Sequence, residues 1–195
     1  MKERTMQEII DEHLRRHIDV FEQVVLPMSA QVEAVAQALC NALKQGHKVL
    51  VMGNGGSAAD SQHLAAELVG RFLKNRAALP AIALTTDTSI LTAVANDFGY
   101  DTVFSRQVEA LAQPGDVVIG ISTSGNSPNV LAGLQVARDK ACVTVALTGR
   151  NGGKMVDGVD LPLNIAVDDT PRIQEAHLTL IHILCDLVER ELFDD

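Results

Sequence analysis

The sequence predicts an α/β protein: a three-layer αβα sandwich on a five-stranded parallel sheet in the doubly wound order 2-1-3-4-5, preceded by an N-terminal helical hairpin. Three observations predict it. Apolar runs at 48–53, 81–86, 117–122, 143–148 and 161–167 are nearly continuous, as strands covered on both faces must be. Helix-length segments separate them, which parallel strands need as crossovers. Two small-residue loops, Gly53-Asn54-Gly55-Gly56-Ser57 and Ser122-Thr123-Ser124-Gly125-Asn126-Ser127, follow the first and third runs and open helical patterns.

Residues 4–26 carry apolar side chains at Ile9, Ile10, Leu14, Ile18, Phe21 and Val25 with helical spacing, until Pro27 interrupts. A second helix covers about 29–45, with Val32, Val35, Leu39 and Leu43 on one face and Gly46 as its stop. Both precede any strand, so neither is a crossover. They form a hairpin over 1–46 that packs on the sheet or on another subunit, and the main domain is 47–195. Between the strands, helices are expected at 57–73, 88–97 and 127–140, with a weaker one at 152–157. The last helix, about 171–193, opens with Pro171 in its first turn. Its apolar residues cover most of its circumference, so it must be buried on several sides, which points to an oligomer.

Composition narrows the function. A hydrophobic share of 47% supports a sizeable core, and an aromatic share of 3% makes that core aliphatic. The net charge of -9 excludes a general nucleic-acid or membrane-surface binder, which needs a basic face. Cys40, Cys142 and Cys185 lie far apart among apolar neighbours, as free thiols in a reducing cytoplasm do. The charged start, Met1 to Arg4, shows neither a signal peptide nor a membrane span, so a cytoplasmic protein is expected.

The two loops have the chemistry of a phosphate site. Glycine lets backbone approach an anion, and a helix N-terminus directs N–H groups and positive dipole at it. In the order 2-1-3-4-5 the first and third strands are neighbours whose connections leave in opposite directions. Both loops therefore open into one crevice.

The helix after the first loop carries His63 and Glu67, four residues apart on one face. The last helix carries Gln174, His177 and His182. Gln174 and His182 are separated by about 12 Å of rise and about 80° around the axis, whereas metal–nitrogen and metal–oxygen bonds are about 2.0–2.2 Å. A site shared by these two is most easily drawn from different copies of the chain, at a subunit interface.

Gly53-Asn54-Gly55-Gly56-Ser57, the His63/Glu67 pair, Asn96-Asp97, the 122–127 loop, and Arg172-Ile173-Gln174-Glu175 with His182 together resemble the phosphoheptose isomerases. These are sugar-isomerase (SIS) domain enzymes with a flavodoxin-like strand order, and the resemblance runs over essentially the whole chain. It implies conversion of D-sedoheptulose 7-phosphate to D-glycero-D-manno-heptose 7-phosphate through an enediol(ate), the first step toward ADP-heptose and lipopolysaccharide core heptose. It also implies that Ser57, Ser122, Thr123, Ser124 and Ser127 hold phosphate. Asn54, Gly55, Gly56, Glu67, Asn96, Asp97 and Gln174 would meet the rest of the substrate. By the same resemblance His63, Glu67, Gln174 and His182 bind one zinc per site, in a homotetramer with active sites between subunits. Some members have an acidic residue where this chain has Pro171, so no carboxylate role is carried over there.

The residue types suit the reaction. Moving a carbonyl between C2 and C1 needs a base for a carbon-bound proton, and Glu67 fits. It also needs a group that exchanges protons with the oxygens or opens the ring, and His182 fits. A Glu bound tightly to zinc is a poorer base, so base and ligand compete as roles for Glu67. The alternative is a non-catalytic SIS scaffold that binds a bacterial replication initiator. Such relatives lack the acidic residue of position 67 and the histidine of position 182, and both are present here. His13, His17 and His47 read as surface or packing residues, and His177 reads equally as a packing or an orienting group. Arg71 and Arg106 read as solvated charges, and Gly149-Arg150-Asn151-Gly152-Gly153 as a plain turn away from the switch point.

Overall fold

The computed structural model describes residues 4–194; the charged start, residues 1–3, lies outside them. Helix α1 (Met6–Val20) begins at a capping box in which Thr5 and Glu8 satisfy each other's backbone N–H groups. A π turn (Phe21–Val25) and a 3-10 turn (Leu26–Met28) lead into α2 (Ser29–Lys44). The expected hairpin reversal is replaced by a bend. Val20, Phe21, Val25, Leu26 and Ser29 all keep right-handed helical dihedrals. The wide and tight turns absorb Pro27, which lacks an N–H, without ending the helical path. Helix α1 accordingly extends away from α2 and buries no residue of its own. Met6, Ile9, Ile10, Leu14 and Ile18 are exposed in the single chain.

The sheet has the order β2-β1-β3-β4-β5 and is parallel throughout. Its strands are β1 (Val49–Gly53), β2 (Ala81–Ala83), β3 (Val117–Ser122), β4 (Val143–Gly149) and β5 (Leu161–Ile165). Strand β2 is shorter than the apolar run at 81–86, because the Thr86 hydroxyl turns back to the Ala83 carbonyl and closes the strand. Alternating side chains divide the core. Val49, Val51, Ile119, Ile121, Val145 and Leu147 face α2, α3 (Gly56–Val69) and α7 (Thr170–Phe193). Leu50, Met52, Val118 and Ala146 face α5 (Val103–Leu111) and α6 (Pro128–Asp139), with α4 (Thr88–Phe98) packed at that side's margin.

Helix α5 is absent from the sequence reading. Gly99, at φ +88, ends α4, and a 3-10 turn intervenes before nine helical residues bury Val103, Phe104 and Val108. So short a segment holds barely two repeats of the helical pattern. The helix expected at 152–157 is only a 3-10 turn, Val156–Gly158, because Gly152 and Gly153 both take positive φ.

Asp116, 1% exposed, ties the bottom of the sheet together by accepting from Lys48 N at 3.0 Å, Lys48 Nζ at 2.6 Å and Gln113 N at 2.8 Å. Burial pushes its carboxyl up, but these hydrogen bonds and the Lys48 charge outweigh burial and hold it below the usual carboxylate range. All three cysteines are buried free thiols. Among the described residues no helix is long and apolar enough to cross a membrane.

Candidate active site

Paired parallel strands place the two loops side by side: Gly53 is in register with Ile121, and both chains then leave the carboxyl edge of the sheet. The first loop turns tightly, since a Cβ on Gly53 would lie 2.7 Å from the Ser57 carbonyl oxygen. Gly55 takes φ +57 and caps α3 without a side chain. In the second loop the Ser122 hydroxyl bonds the Ser127 hydroxyl at 2.9 Å and lies 3.4 Å from that of Ser124. Ser127 is the N-cap of α6, yet its side chain makes no capping bond, so the helix N-terminus and the hydroxyls remain together at one place.

The loop at 149–153 is more than a plain turn. Met155 N donates to Gly125 O at 3.1 Å and Lys154 N donates to Asn126 Oδ1 at 3.1 Å, so it buttresses the serine loop from outside. A Cβ on Gly153 would lie 2.5 Å from Gly125 O, which is why side chains are excluded there.

Asn54 joins the two loops. Its amide exchanges two hydrogen bonds of 2.9 Å with Asn129 in α6, and its Oδ1 also accepts from Tyr100 Oη at 3.1 Å. Asn129 is 2% exposed, and neither it nor Tyr100 figured in the sequence reading. A signal existed in each case: a polar residue on the inner face of α6, and the chain's single tyrosine three positions after Asp97. Asn96 and Asp97 are exposed at the end of α4 and bond each other at 2.8 Å; Tyr100 brings that end to the first loop.

Two turns along α3, His63 and Glu67 meet His182 of α7 in the same chain. His63 Nε2 lies 2.9 Å from His182 Nε2 and 3.2 Å from Glu67 Oε1, and the donor atoms of all three lie within 4.8 Å of one another. The Phe72 ring stacks on His182 at 5.5 Å. Two imidazole nitrogens and a carboxylate oxygen converging this closely make a donor set suited to a small divalent cation. Asp60 shares this face of α3 one turn nearer the loop. Its Oδ2 is buried without a partner among the described residues, and burial raises its carboxyl above the usual range.

Gln174 is elsewhere. A Cβ on Gly56 would come 2.5 Å from Gln174 Nε2, so this amide lies on the Gly53–Ser57 loop at the start of α3. His63 is seven residues further along that helix, about 10 Å of rise away. The helical spacing between Gln174 and His182 thus separates them as expected, but Glu67 and His182 need no second subunit to meet. The four expected ligands are not gathered within one chain. His177 is fully buried and bonds Thr148 O through Nε2 at 2.9 Å, which anchors α7 on β4.

Known proteins agree with this architecture. A family model described as the SIS domain matches residues 12–149. The phosphoheptose isomerase of Geotalea daltonii is 57% identical over 190 residues, which cover 97% of this chain and 99% of that one. The chain belongs to the phosphoheptose isomerase family of SIS-domain proteins.

Other family members extend the match. The phosphoheptose isomerase of Geobacter metallireducens is 59% identical over 188 residues, covering 96% of this chain and 100% of that one. The solved phosphoheptose isomerase of Neisseria gonorrhoeae superposes with a TM-score of 0.90 at 44% identity, covering 95% of this chain and 99% of that one. The Francisella tularensis phosphoheptose isomerase gives 0.93 at 34% identity, covering 96% and 100%. The phosphoheptose isomerase fold therefore includes the bent N-terminal helix as well as the sheet.

Proposed function

We propose that the protein is an aldose–ketose isomerase that converts D-sedoheptulose 7-phosphate to D-glycero-D-manno-heptose 7-phosphate, the entry step to ADP-heptose. The observation that carries this reading is the spacing between a hydroxyl-rich anion loop and an acid–base cluster about 10 Å further along α3. A phosphosugar anchored by its phosphate at the loop extends along the helix toward the cluster with its far end, where the carbonyl lies.

Ser57, Ser122, Thr123, Ser124 and Ser127 hold the phosphate, together with the N-termini of α3 and α6. Asn54, Asn96, Asp97 and Gln174 contact the sugar hydroxyls. Glu67 takes the C1 proton of the ketose, giving an enediol(ate), and returns a proton to C2; the C1–H bond breaks and a C2–H bond forms. His182 moves the proton that leaves O1 and arrives on O2.

His63, Glu67 and His182 of one chain would hold a zinc ion, and the family resemblance would add Gln174, drawn from another copy, as the fourth ligand. When bound the ion polarises the carbonyl and stabilises the enediolate charge. A homotetramer follows the same logic: α1 leaves its apolar residues uncovered, and Ile183 and Leu187 of α7 line an open apolar groove with Phe21 and Val25. The segment up to residue 46 serves that assembly, and the three buried free thiols support a cytoplasmic location.

The scaffold reading is set aside because the two residues such relatives lack, Glu67 and His182, are both present and belong to one cluster. A coupled assay tests the proposal: turnover of sedoheptulose 7-phosphate with little turnover of unphosphorylated sedoheptulose supports it, and turnover of neither by folded, zinc-supplied protein contradicts it.

A further inference from the structure

We propose that Arg76 and Glu189 form a buried clamp that positions the reaction cluster, setting Glu67 through the main chain of α3 and His182 through Phe72. The inference rests on the reading of His63, Glu67 and His182 as the reacting and cation-binding group. Both clamp side chains are 1% exposed, and Arg76 Nε donates to Glu189 Oε1 at 2.9 Å. Neither belongs to the chemistry described above.

Each partner spends its remaining capacity on the segment around the cluster. Glu189 accepts from three successive backbone N–H groups, Phe72 and Leu73 at 2.8 Å and Lys74 at 2.9 Å. Arg76 donates from Nη2 to Glu67 O at 2.8 Å, and from Nη1 to Leu68 O at 2.8 Å and Ala77 O at 2.9 Å. Helix α3 ends at Val69, so the carbonyls of Glu67 and Leu68 belong to its last turn, where no intrahelical N–H reaches them. The guanidinium supplies those donors and places positive charge at the helix C-terminus. Leu79 N also donates to Leu68 O at 3.0 Å, so the contribution particular to Arg76 is its bond to the Glu67 carbonyl.

The other arm runs through Glu189. It lies two turns after His182 on α7, and it fixes the backbone of Phe72, whose ring stacks on His182 at 5.5 Å with planes 30° apart. Burying two charges costs more than apolar filling of the same space, and the bonds that offset the cost include one to Glu67 O, which carries the cluster, and one from Phe72 N, whose ring touches it. Burial pushes the Glu189 carboxyl up, but the three backbone N–H groups and Arg76 outweigh burial and keep it ionised below the usual range.

The experiment compares full-length parent, Glu189→Gln, Arg76→Lys and a core control, Leu39→Ala, matched for loss of melting temperature. Leu39 is fully buried in α2 and takes no part in the hydrogen bonds of the clamp. Zinc dissociation constants come from competition with a chromophoric chelator, and kcat and KM from the coupled assay. A positioning role predicts a zinc Kd raised about 10–100-fold in Glu189→Gln, and a comparable loss in kcat with KM little changed. Leu39→Ala should leave both within about twofold of the parent. Arg76→Lys keeps the charge but cannot span two carbonyls, and gives an intermediate loss; it carries the test if Glu189→Gln does not fold. Unchanged Kd and kcat in folded variants overturn the clamp. If the parent itself binds no zinc, the metal reading falls and kcat against KM decides the clamp. If the parent has no turnover, the isomerase reading falls and zinc affinity decides it.

Discussion

His63 and His182 stand 119 residues apart in sequence and meet Nε2 to Nε2 at 2.9 Å, with Glu67 Oε1 3.2 Å from the His63 nitrogen. The contact is made by the parallel packing of α3 on α7, and the same packing lays Gln174 on Gly56 at the other end of the interface. One helix pair thus carries the His63–Glu67–His182 cluster and the floor of the first glycine–serine loop.

Replacing Glu67 by Gln keeps shape and removes the carboxylate proposed as the base. Turnover should fall by about 10²–10⁴-fold while phosphosugar binding, measured by calorimetry, changes little. Equal losses in binding and turnover would show Glu67 to be a substrate anchor instead.

Ser124→Ala should act on binding. The loss is about 0.5–1.5 kcal/mol for a neutral hydrogen bond and up to about 3 kcal/mol for one to charged phosphate. Affinity for inorganic phosphate, measured by competition, should weaken in parallel; a pure kcat effect would move Ser124 out of the phosphate site.

Asn129 predicts a different pattern. Asn129→Ala removes both bonds to Asn54 and the bond its Oδ1 accepts from Val130 N, leaving polar groups unpartnered at a cost of about 1–3 kcal/mol in stability. KM should rise as well, because Asn54 loses its fixed orientation. Denaturant melts and steady-state kinetics of the variant check the two effects.

Much of this was legible in the chain. Unbroken apolar runs gave parallel strands, the common doubly wound order matched their arrangement, and glycine–serine junctions pointed to the crevice, because burial on both faces and backbone approach to an anion each leave a residue pattern. The bend at Pro27 was not legible, since π and 3-10 turns with helical dihedrals look like a break in sequence. Nor was the pairing of His182 with Glu67 inside one chain: spacing along α7 fixed how far Gln174 lies from His182, but only packing determines which helix faces which. Arg76, Glu189 and Asn129 stayed invisible for the same reason, as each gains meaning only from a distant partner.

Stability should fall on the acid side before the carboxylates titrate. Burial lowers His177 from 6.5 to about 4, so the fold favours its neutral ring. A depressed folded value means the contribution is complete above pH 6.5 and is lost as pH falls from there toward 4. The loss is at most about 3 kcal/mol, at about 1.36 kcal/mol per pH unit. Melting temperature against pH should show this limb in the parent, and His177→Gln should flatten it; an identical limb in the variant would assign it to other groups.

The most direct test follows sedoheptulose 7-phosphate by proton magnetic resonance in heavy water with parent and Glu67→Gln proteins. The parent should form the aldose phosphate with deuterium entering at C2, and Glu67→Gln should form almost none. Aldose produced by Glu67→Gln at near the parent's rate, or no aldose from the zinc-supplied parent, would contradict the proposed mechanism.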